Sequence, residues 1–384
     1  MRSEGSSDRR PLAALISLGI ANHVVLAGSR VTVSLDALSR GASAFTVGLL
    51  MALFALLPML FAIAAGRLSD RIGMRRPMTA GSAGLVIGAA LPVMLPGLGP
   101  LFVSAALIGV SFMTFQVSAQ KATGGLGAPS DRARNFSLLA MGYSISGFIG
   151  PLIAGFTIDH AGHRIAFAVL AAIPVFTTLY LLRRRLRLPR SERHAATQAH
   201  GGVLALVSEP ALRRVFAINV LYAGAWDLHT IMIPVYGASI GLSASQIGAV
   251  LSTFAGATFV VRVAMPRLMR WRTEHQVLTI ALFLAGIVYI LFPFARSAWL
   301  LGALSFVLGL GLGTGQPMVM SLLHTHAPPG RVGEAVGVRM SIVQTSSVAV
   351  PLLFGALGTT FGLAPVFWSV GVCLAGGGFL SRRA

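Results

Sequence analysis

The chain has 384 residues, 55% of them hydrophobic and only 11% charged, with a mean hydropathy of +0.79; a soluble domain carries about 25% charged residues, so a soluble globular class is excluded. A formal net charge of +19 would point to nucleic acid in a soluble protein. Here the basic residues fall in short gaps between long apolar runs, which argues against a nucleic-acid partner and predicts an integral membrane protein in a lipid bilayer.

A spanning helix needs roughly 20 apolar residues. In chain order, the predicted helices are 11–36, 42–65, 78–95, 98–122, 133–158, 164–182, 209–238, 243–265, 275–294, 297–323, 332–358 and 363–381. These runs leave short loops and no room for an extramembrane domain. The first run is longer than the roughly 7–15 apolar residues of a signal-peptide core and ends in no A-x-A site, so a cytoplasmic tail followed by a helix is expected.

The gaps at Arg2 to Arg10, Arg67 to Arg76, Lys121 to Arg134, Arg183 to Arg193, Arg267 to Arg272, and Arg382 with Arg383 are basic. Those around 95–100, 237–243 and 359–363 carry no Lys or Arg. Cationic loops stay in the cytoplasm, so both termini are expected there. Cys373, the single cysteine, can form neither an internal disulfide nor a cysteine metal cluster; no metal site is expected.

The polar stretch 183–207 divides the chain into an N-terminal bundle, 1–182, and a C-terminal bundle, 208–384, with the stretch itself as a cytoplasmic linker. The halves align without gaps at a shift of two hundred. Gly41 pairs with Gly241, Ser43 with Ser243, Gly48 with Gly248, Phe54 with Phe254, Arg67 with Arg267, Gln116 with Gln316, Pro151 with Pro351 and Gly155 with Gly355. Parallel repeats of about six helices place a substrate site near the bilayer midplane.

Between the second and third runs lies Gly66-Arg67-Leu68-Ser69-Asp70-Arg71-Ile72-Gly73-Met74-Arg75-Arg76, read as a glycine-bracketed cationic loop. It resembles the G-x-L-x-D-R-x-G-R-[KR] signature of the major facilitator superfamily. Gly66, Leu68, Asp70, Arg71, Gly73 and Arg76 match, Arg67 adds a cation, and Met74 replaces the first basic residue. The resemblance covers essentially the whole chain. It implies an all-α membrane fold of twelve transmembrane helices in two pseudo-symmetric six-helix bundles, which rock about a central cavity. It also implies that Asp70 engages the start of the eleventh helix, near 331–334, and latches the cytoplasmic side. The second-half copy, Pro266 to Arg272, lacks the Gly and the Asp and is expected to serve topology alone.

Charges within membrane helices are costly and are functional candidates by default. Asp227 lies near the middle of the seventh run, too deep for a short side chain to reach the interface. His23, Ala27 and Arg30 are spaced i, i+4, i+7 on one face of the first helix, and their counterparts are Ala223, Asp227 and Thr230. The resemblance implies that the first and seventh helices line the cavity, so His23, Arg30 and Asp227 are expected to border the substrate path, with Asp227 as the proton-coupling group; the competing reading is a permanently paired carboxylate, with Arg30 as a partner. Gln116 and Gln316 occupy matching positions on the fourth and tenth helices and should face inward, to bind substrate or to tie helices together. Tyr222, Trp226 and His229 form a polar-aromatic stripe that suits either a ligand or interhelical packing. Arg262 and Arg339 are expected to snorkel, and Asp36 and Arg40 to be solvated at the outer mouth.

The fifth helix carries Ser146-Gly147-Phe148-Ile149-Gly150-Pro151-Leu152-Ile153-Ala154-Gly155. Gly150 and Gly155 give a close-packing face, and Pro151 a bend. The segment resembles the G-x-x-x-G-P-x-x-G-G signature of proton-coupled drug antiporters, with Ser146 and Ala154 replacing two glycines. Against that branch, Gly109 is preceded by Ile108 and Ala105 where the antiporters carry Gln and Arg, so Asp227 and His23 gain weight as proton carriers.

The resemblance implies a secondary active transporter that exports a small organic solute in exchange for protons. Its partners would be a small-molecule substrate and lipid, with the chain a monomer in a bacterial inner membrane, using no cofactor beyond the proton gradient. A proton-coupled uptake symporter and a non-transporting sensor or scaffold on the same fold remain as alternatives. No Ser/His/Asp set, H-E-x-x-H or P-loop occurs in the sequence, so neither an enzyme nor ATP-driven transport is expected.

Overall fold

The computed structural model describes residues 10–127, 132–183, 208–327 and 332–382. Helix α1 spans Arg10–Ser39, α2 Ala44–Ile72, α3 Arg75–Met94 and α4 Leu98–Gly124. The helical stretch Arg132–Leu182 breaks at Gly162, where φ is +80° and ψ 168°, so α5 (132–161) and α6 (163–182) meet at one residue. Glycine enters that backbone region without strain, which is how one residue does the work of the gap predicted at 159–163. Then follow α7 Pro210–Ser239, α8 Ala244–Leu268, α9 Glu274–Leu291 with a short 3-10 turn Phe292–Phe294, α10 Ala298–His326, α11 Val332–Phe361 and α12 Leu363–Arg382. Eleven stretches are long and apolar enough to cross a bilayer; dividing the one at Gly162 gives the twelve expected spans. No strand occurs among the described residues, as lipid demands that each segment satisfy its own backbone.

The repeat is written into the helix ends. At the close of α1, Ala42 N–H donates to Ala37 C=O (3.0 Å) and Gly41 N–H to Leu38 C=O (2.9 Å). At the close of α7, Leu242 N–H donates to Gly237 C=O (2.9 Å) and Gly241 N–H to Ala238 C=O (3.1 Å). Both are Schellman endings built on a left-handed glycine, Gly41 at φ +80° and Gly241 at φ +78°. Two residues later a serine caps the next helix in each half: Ser43 Oγ accepts from Thr46 N–H (3.2 Å) and Ser243 Oγ from Gln246 N–H (3.3 Å). The same local chemistry thus makes the same turn two hundred residues apart.

Contacts divide the chain into two compact units, Met1–Val33 with Leu56–His194, and Ser34–Ala55 with Ala195–Ala384. In the first, α3 packs against α4 and the 132–182 stretch. A close crossing joins α1 to α5: a Cβ at Gly150 would lie 2.8 Å from Val24 C=O and 2.9 Å from Gly28 N, so the glycine permits backbone-to-backbone approach. In the second unit α7 packs on α11, α8 on α10 and α9 on α12. The same unit contains the approach of Gly48 to Pro351 and Gly355, and a hydrogen bond from Phe45 N–H to Thr359 Oγ1 (3.0 Å). Large apolar side chains such as Ile87, Phe176 and Val263 stand exposed, as expected of a lipid-facing surface. Trp271 (84% exposed), between α8 and α9, and Trp299 (91%), at the start of α10, stand exposed at helix ends, where aromatic residues of a membrane protein are enriched.

Two expectations require correction. The segment 66–76 is not a loop throughout: α2 continues through Gly66, Arg67, Asp70 and Arg71 to Ile72, and the turn is made by Gly73 (φ +80°) and Met74 alone. Arg71 and Arg76 are exposed, whereas Met74 is only 5% exposed, in a cluster with Leu15, Leu18, Met78, Phe115 and Leu181. The methionine that departs from the signature is therefore a core residue. Beside it, Arg75 donates from Nη1 to Leu181 C=O (3.2 Å), at the carbonyl end of α6, where a cation complements the helix dipole. At the other end of α1, Asp36 is not solvated but 4% exposed, and Arg40 Nε donates to its carboxylate at 3.0 Å, one turn along the helix.

Candidate functional site

A cavity of about 210 Å³ opens inside the second unit. Helix α7 supplies Asn219, Tyr222, Ala223, Trp226 and Asp227, residues whose spacing places them on one face. Arg262 comes from α8, Gly315 and Gln316 from α10, and Arg339 and Val343 from α11. Asp227 is 8% exposed, and its carboxylate accepts from Ser347 Oγ at 2.8 Å. A charge at this depth costs about 2.5–3.5 kcal/mol on insertion scales, and a hydrogen bond to a charged group returns about 1.5–3 kcal/mol. The interaction thus offsets much of the cost of keeping a carboxylate in the span.

The aromatic wall depends on a missing side chain. A Cβ at Gly315 would overlap the ring of Tyr222, so glycine on α10 is what lets Tyr222 lie against that helix. Its hydroxyl donates to Leu278 C=O on α9 (3.4 Å). Trp226 meets Phe254 edge-on, with centroids 4.7 Å apart at 73°. His229 belongs elsewhere: it is fully buried, within 3.0 Å of Ser305 Oγ and stacked on Phe254 at 4.3 Å. The predicted stripe therefore divides, with Tyr222 and Trp226 on the cavity and His229 in helix packing.

Arg262 and Arg339 correct the expectation of snorkelling. Both line the cavity that holds Asp227 and Gln316, and Arg339 is only 8% exposed. Among the described residues, Arg339 Nε and Asn219 Nδ2 are buried without a hydrogen-bond partner. Asn219 escaped the sequence reading too, although it stands two helical turns before Asp227. Intramembrane arginine was the available signal; distance from the helix end overrode it.

The other predicted residues lie in the first unit. His23 Nδ1 is 2.7 Å from Ser146 Oγ, and that hydroxyl donates to the carbonyls of Gly142 (3.1 Å) and Tyr143 (2.9 Å). With its proton so used, Ser146 accepts from the imidazole. Ser146 thus gives His23 its partner at a position where the antiporter signature has glycine. The His23 ring also meets Phe112 (5.3 Å) and Tyr143 (5.0 Å). Gln116 follows Phe112 by one turn on the same face of α4 and is half-buried. Arg30, also half-buried, lies two turns beyond His23 on α1. In the fifth-helix motif, Gly150, Pro151 and Gly155 are all buried. The side chains of Arg67 and Asp70, residue 331 and the side chains of 332–334 lie outside the described residues, as does the linker from 184 to 207.

The sequence matches the profile of the Major Facilitator Superfamily over residues 14–295 and 215–383. The chain belongs to the major facilitator superfamily. It is 27% identical over 332 residues to the class G tetracycline resistance protein of Vibrio anguillarum, covering 81% of this chain and 80% of that one. It is 23% identical over 318 residues to the multidrug resistance protein MdtG of Dickeya zeae, covering 79% and 75%. The multi-drug resistance efflux pump PmrA of Streptococcus pneumoniae is 23% identical over 350 residues, covering 86% and 84%. Among solved structures, a POT family transporter in complex with a thioalcohol-conjugated peptide aligns with a TM-score of 0.81 at 14% identity, covering 97% of this chain and 96% of that one. A bacterial homologue of the human lysosomal transporter Spinster aligns with a TM-score of 0.79 at 15% identity, covering 99% and 98%. These similarities establish the fold, twelve spans in two six-helix bundles. As a major facilitator superfamily protein, the chain is an integral membrane transporter of small solutes rather than an enzyme.

Proposed function

We propose that this transporter exports a small organic solute in exchange for protons, by alternating access, with Asp227 as the group that takes up and releases the proton. The observation that carries the reading is the placement of Asp227: a carboxylate in mid-span, held by Ser347, on the wall of a cavity with Gln316. The efflux direction draws support from relatives named for tetracycline and multidrug resistance. In this reading the bundles are 1–182 and 208–384, joined by 183–207. Both termini are cytoplasmic, the chain acts as a monomer in a bacterial inner membrane, and the proton gradient takes the place of any cofactor. His23, Arg30 and Gln116 border the path in the N-terminal half, and Asp70 latches the cytoplasmic side.

The test is transport in everted membrane vesicles. With an imposed gradient, acid inside, a fluorescent or radiolabelled drug should accumulate in vesicles carrying the protein and not in vesicles lacking it. Collapse of the gradient should abolish accumulation. Accumulation driven by the opposite gradient would assign the same protein to proton symport and overturn the export reading.

A further inference from the structure

The cavity of the second unit carries both signs of charge, rooted at different points along the helices. Asp227 on α7 is bound to Ser347 on α11. Eight residues before each partner stand Asn219 and Arg339, and both line the same cavity. At the rise of an α-helix, eight residues correspond to about 12 Å. Along the backbones, Asp227 and Ser347 therefore stand at one level of the cavity, and Asn219 and Arg339 are rooted about two turns away. At the second level Arg339 Nε and Asn219 Nδ2 are buried with no hydrogen-bond partner among the described residues. Arg339 Nη1 reaches the sulfur of Met340 at 3.7 Å, a weak acceptor. Buried donors left unmatched are costly, charged ones most of all. Arg262 adds a second guanidinium to the lining, and Tyr222 and Trp226 supply flat apolar surface on the same face as Asp227.

We propose that this cavity receives an amphoteric solute: a cationic amine at Asp227, an oxyanion such as a carboxylate or enolate at Arg339 and Asn219, and a flat apolar body along Tyr222 and Trp226. The inference rests on the transport reading above and names its substrate class.

The test is equilibrium dialysis of the full-length protein in lipid nanodiscs, with no gradient imposed. The probes are ciprofloxacin, which carries an amine and a carboxylate at opposite ends of a flat ring system, its ethyl ester, which keeps only the amine, and its N-acetyl derivative, which keeps only the carboxylate. The parent should bind about ten-fold more tightly than either derivative, the worth of one charge-assisted hydrogen bond. Arg339→Gln should erase the preference over the ester, and Asp227→Asn the preference over the N-acetyl form. Arg339→Lys, which keeps the charge, should retain part of it and guards against a misfolded variant. Equal binding of the three probes, or no binding of the parent, overturns the proposal. A zwitterionic lipid headgroup offers the same two charges; displacement of the probe by added phosphatidylethanolamine would assign the site to lipid and overturn the solute assignment. Binding is read without transport, so failure of the export reading in vesicles would leave this ranking standing, and the reverse also holds.

Discussion

The hydroxyl of Ser347 on α11 donates to the carboxylate of Asp227 on α7 across 2.8 Å, joining two helices that pack together in the second unit. Removing the donor leaves a buried carboxylate with one interaction fewer, a loss of about 1–3 kcal/mol. Ser347→Ala should lower the melting temperature of the purified protein and reduce transport without abolishing it. Ser347→Thr, which keeps the hydroxyl, should restore both. Equal behaviour of the Ala and Thr variants would show that the hydrogen bond is not what matters at this position.

Gly315 is the second point of leverage. Any side chain there meets the ring of Tyr222, and overpacking of this kind costs about 1–3 kcal/mol. Gly315→Val should lower the melting temperature and displace Tyr222 from the cavity wall. Combining it with Tyr222→Ala should recover part of the stability, because the clash is with that ring. A double variant no more stable than Gly315→Val alone would refute the pairing.

At the α1–α5 crossing, Gly150 admits no Cβ without moving the backbone of Val24 or Gly28. Gly150→Leu should prevent accumulation of folded protein in the membrane, read by fluorescence-detected size exclusion, and Gly150→Ala should do so less severely. Normal folding of the Leu variant would remove the close crossing from the account.

Met74 gives a prediction opposite to the family signature. Restoring a basic residue by Met74→Arg places a cation in a cluster with Leu15, Met78, Phe115 and Leu181, where an unpaired charge is strongly disfavoured. The melting temperature should fall well below that of Met74→Leu, a volume-conserving change that costs less than about 1.5 kcal/mol. An arginine variant as stable as the leucine variant would contradict the burial of this side chain.

The contrast between Met74 and Gly41 shows what the amino-acid pattern reveals. Spans and repeat were legible because bilayer thickness fixes a length and left-handed turns call for glycine, so Gly41 and Gly241 recur at one shift. Asp227 stood out because a charge at mid-span is rare. Helix rotation was not legible. Arg339, seven residues into α11, is equally compatible with snorkelling to the interface and with facing a cavity; packing decides between them. The helical run from Gly66 to Ile72 was missed because hydropathy ends at the bilayer surface, while backbone hydrogen bonding continues past it. The burial of Met74 was not legible because it depends on α1, α4 and α6, which are distant in sequence.

The central claim is that Asp227 couples solute movement to protons, and it is tested most directly by Asp227→Asn in everted vesicles. The amide keeps the size of the side chain and an oxygen for Ser347, but it cannot exchange a proton near neutral pH. Solute counterflow without a gradient should persist, and accumulation driven by a pH gradient should be lost. Gradient-driven accumulation equal to that of the unaltered protein would contradict the account.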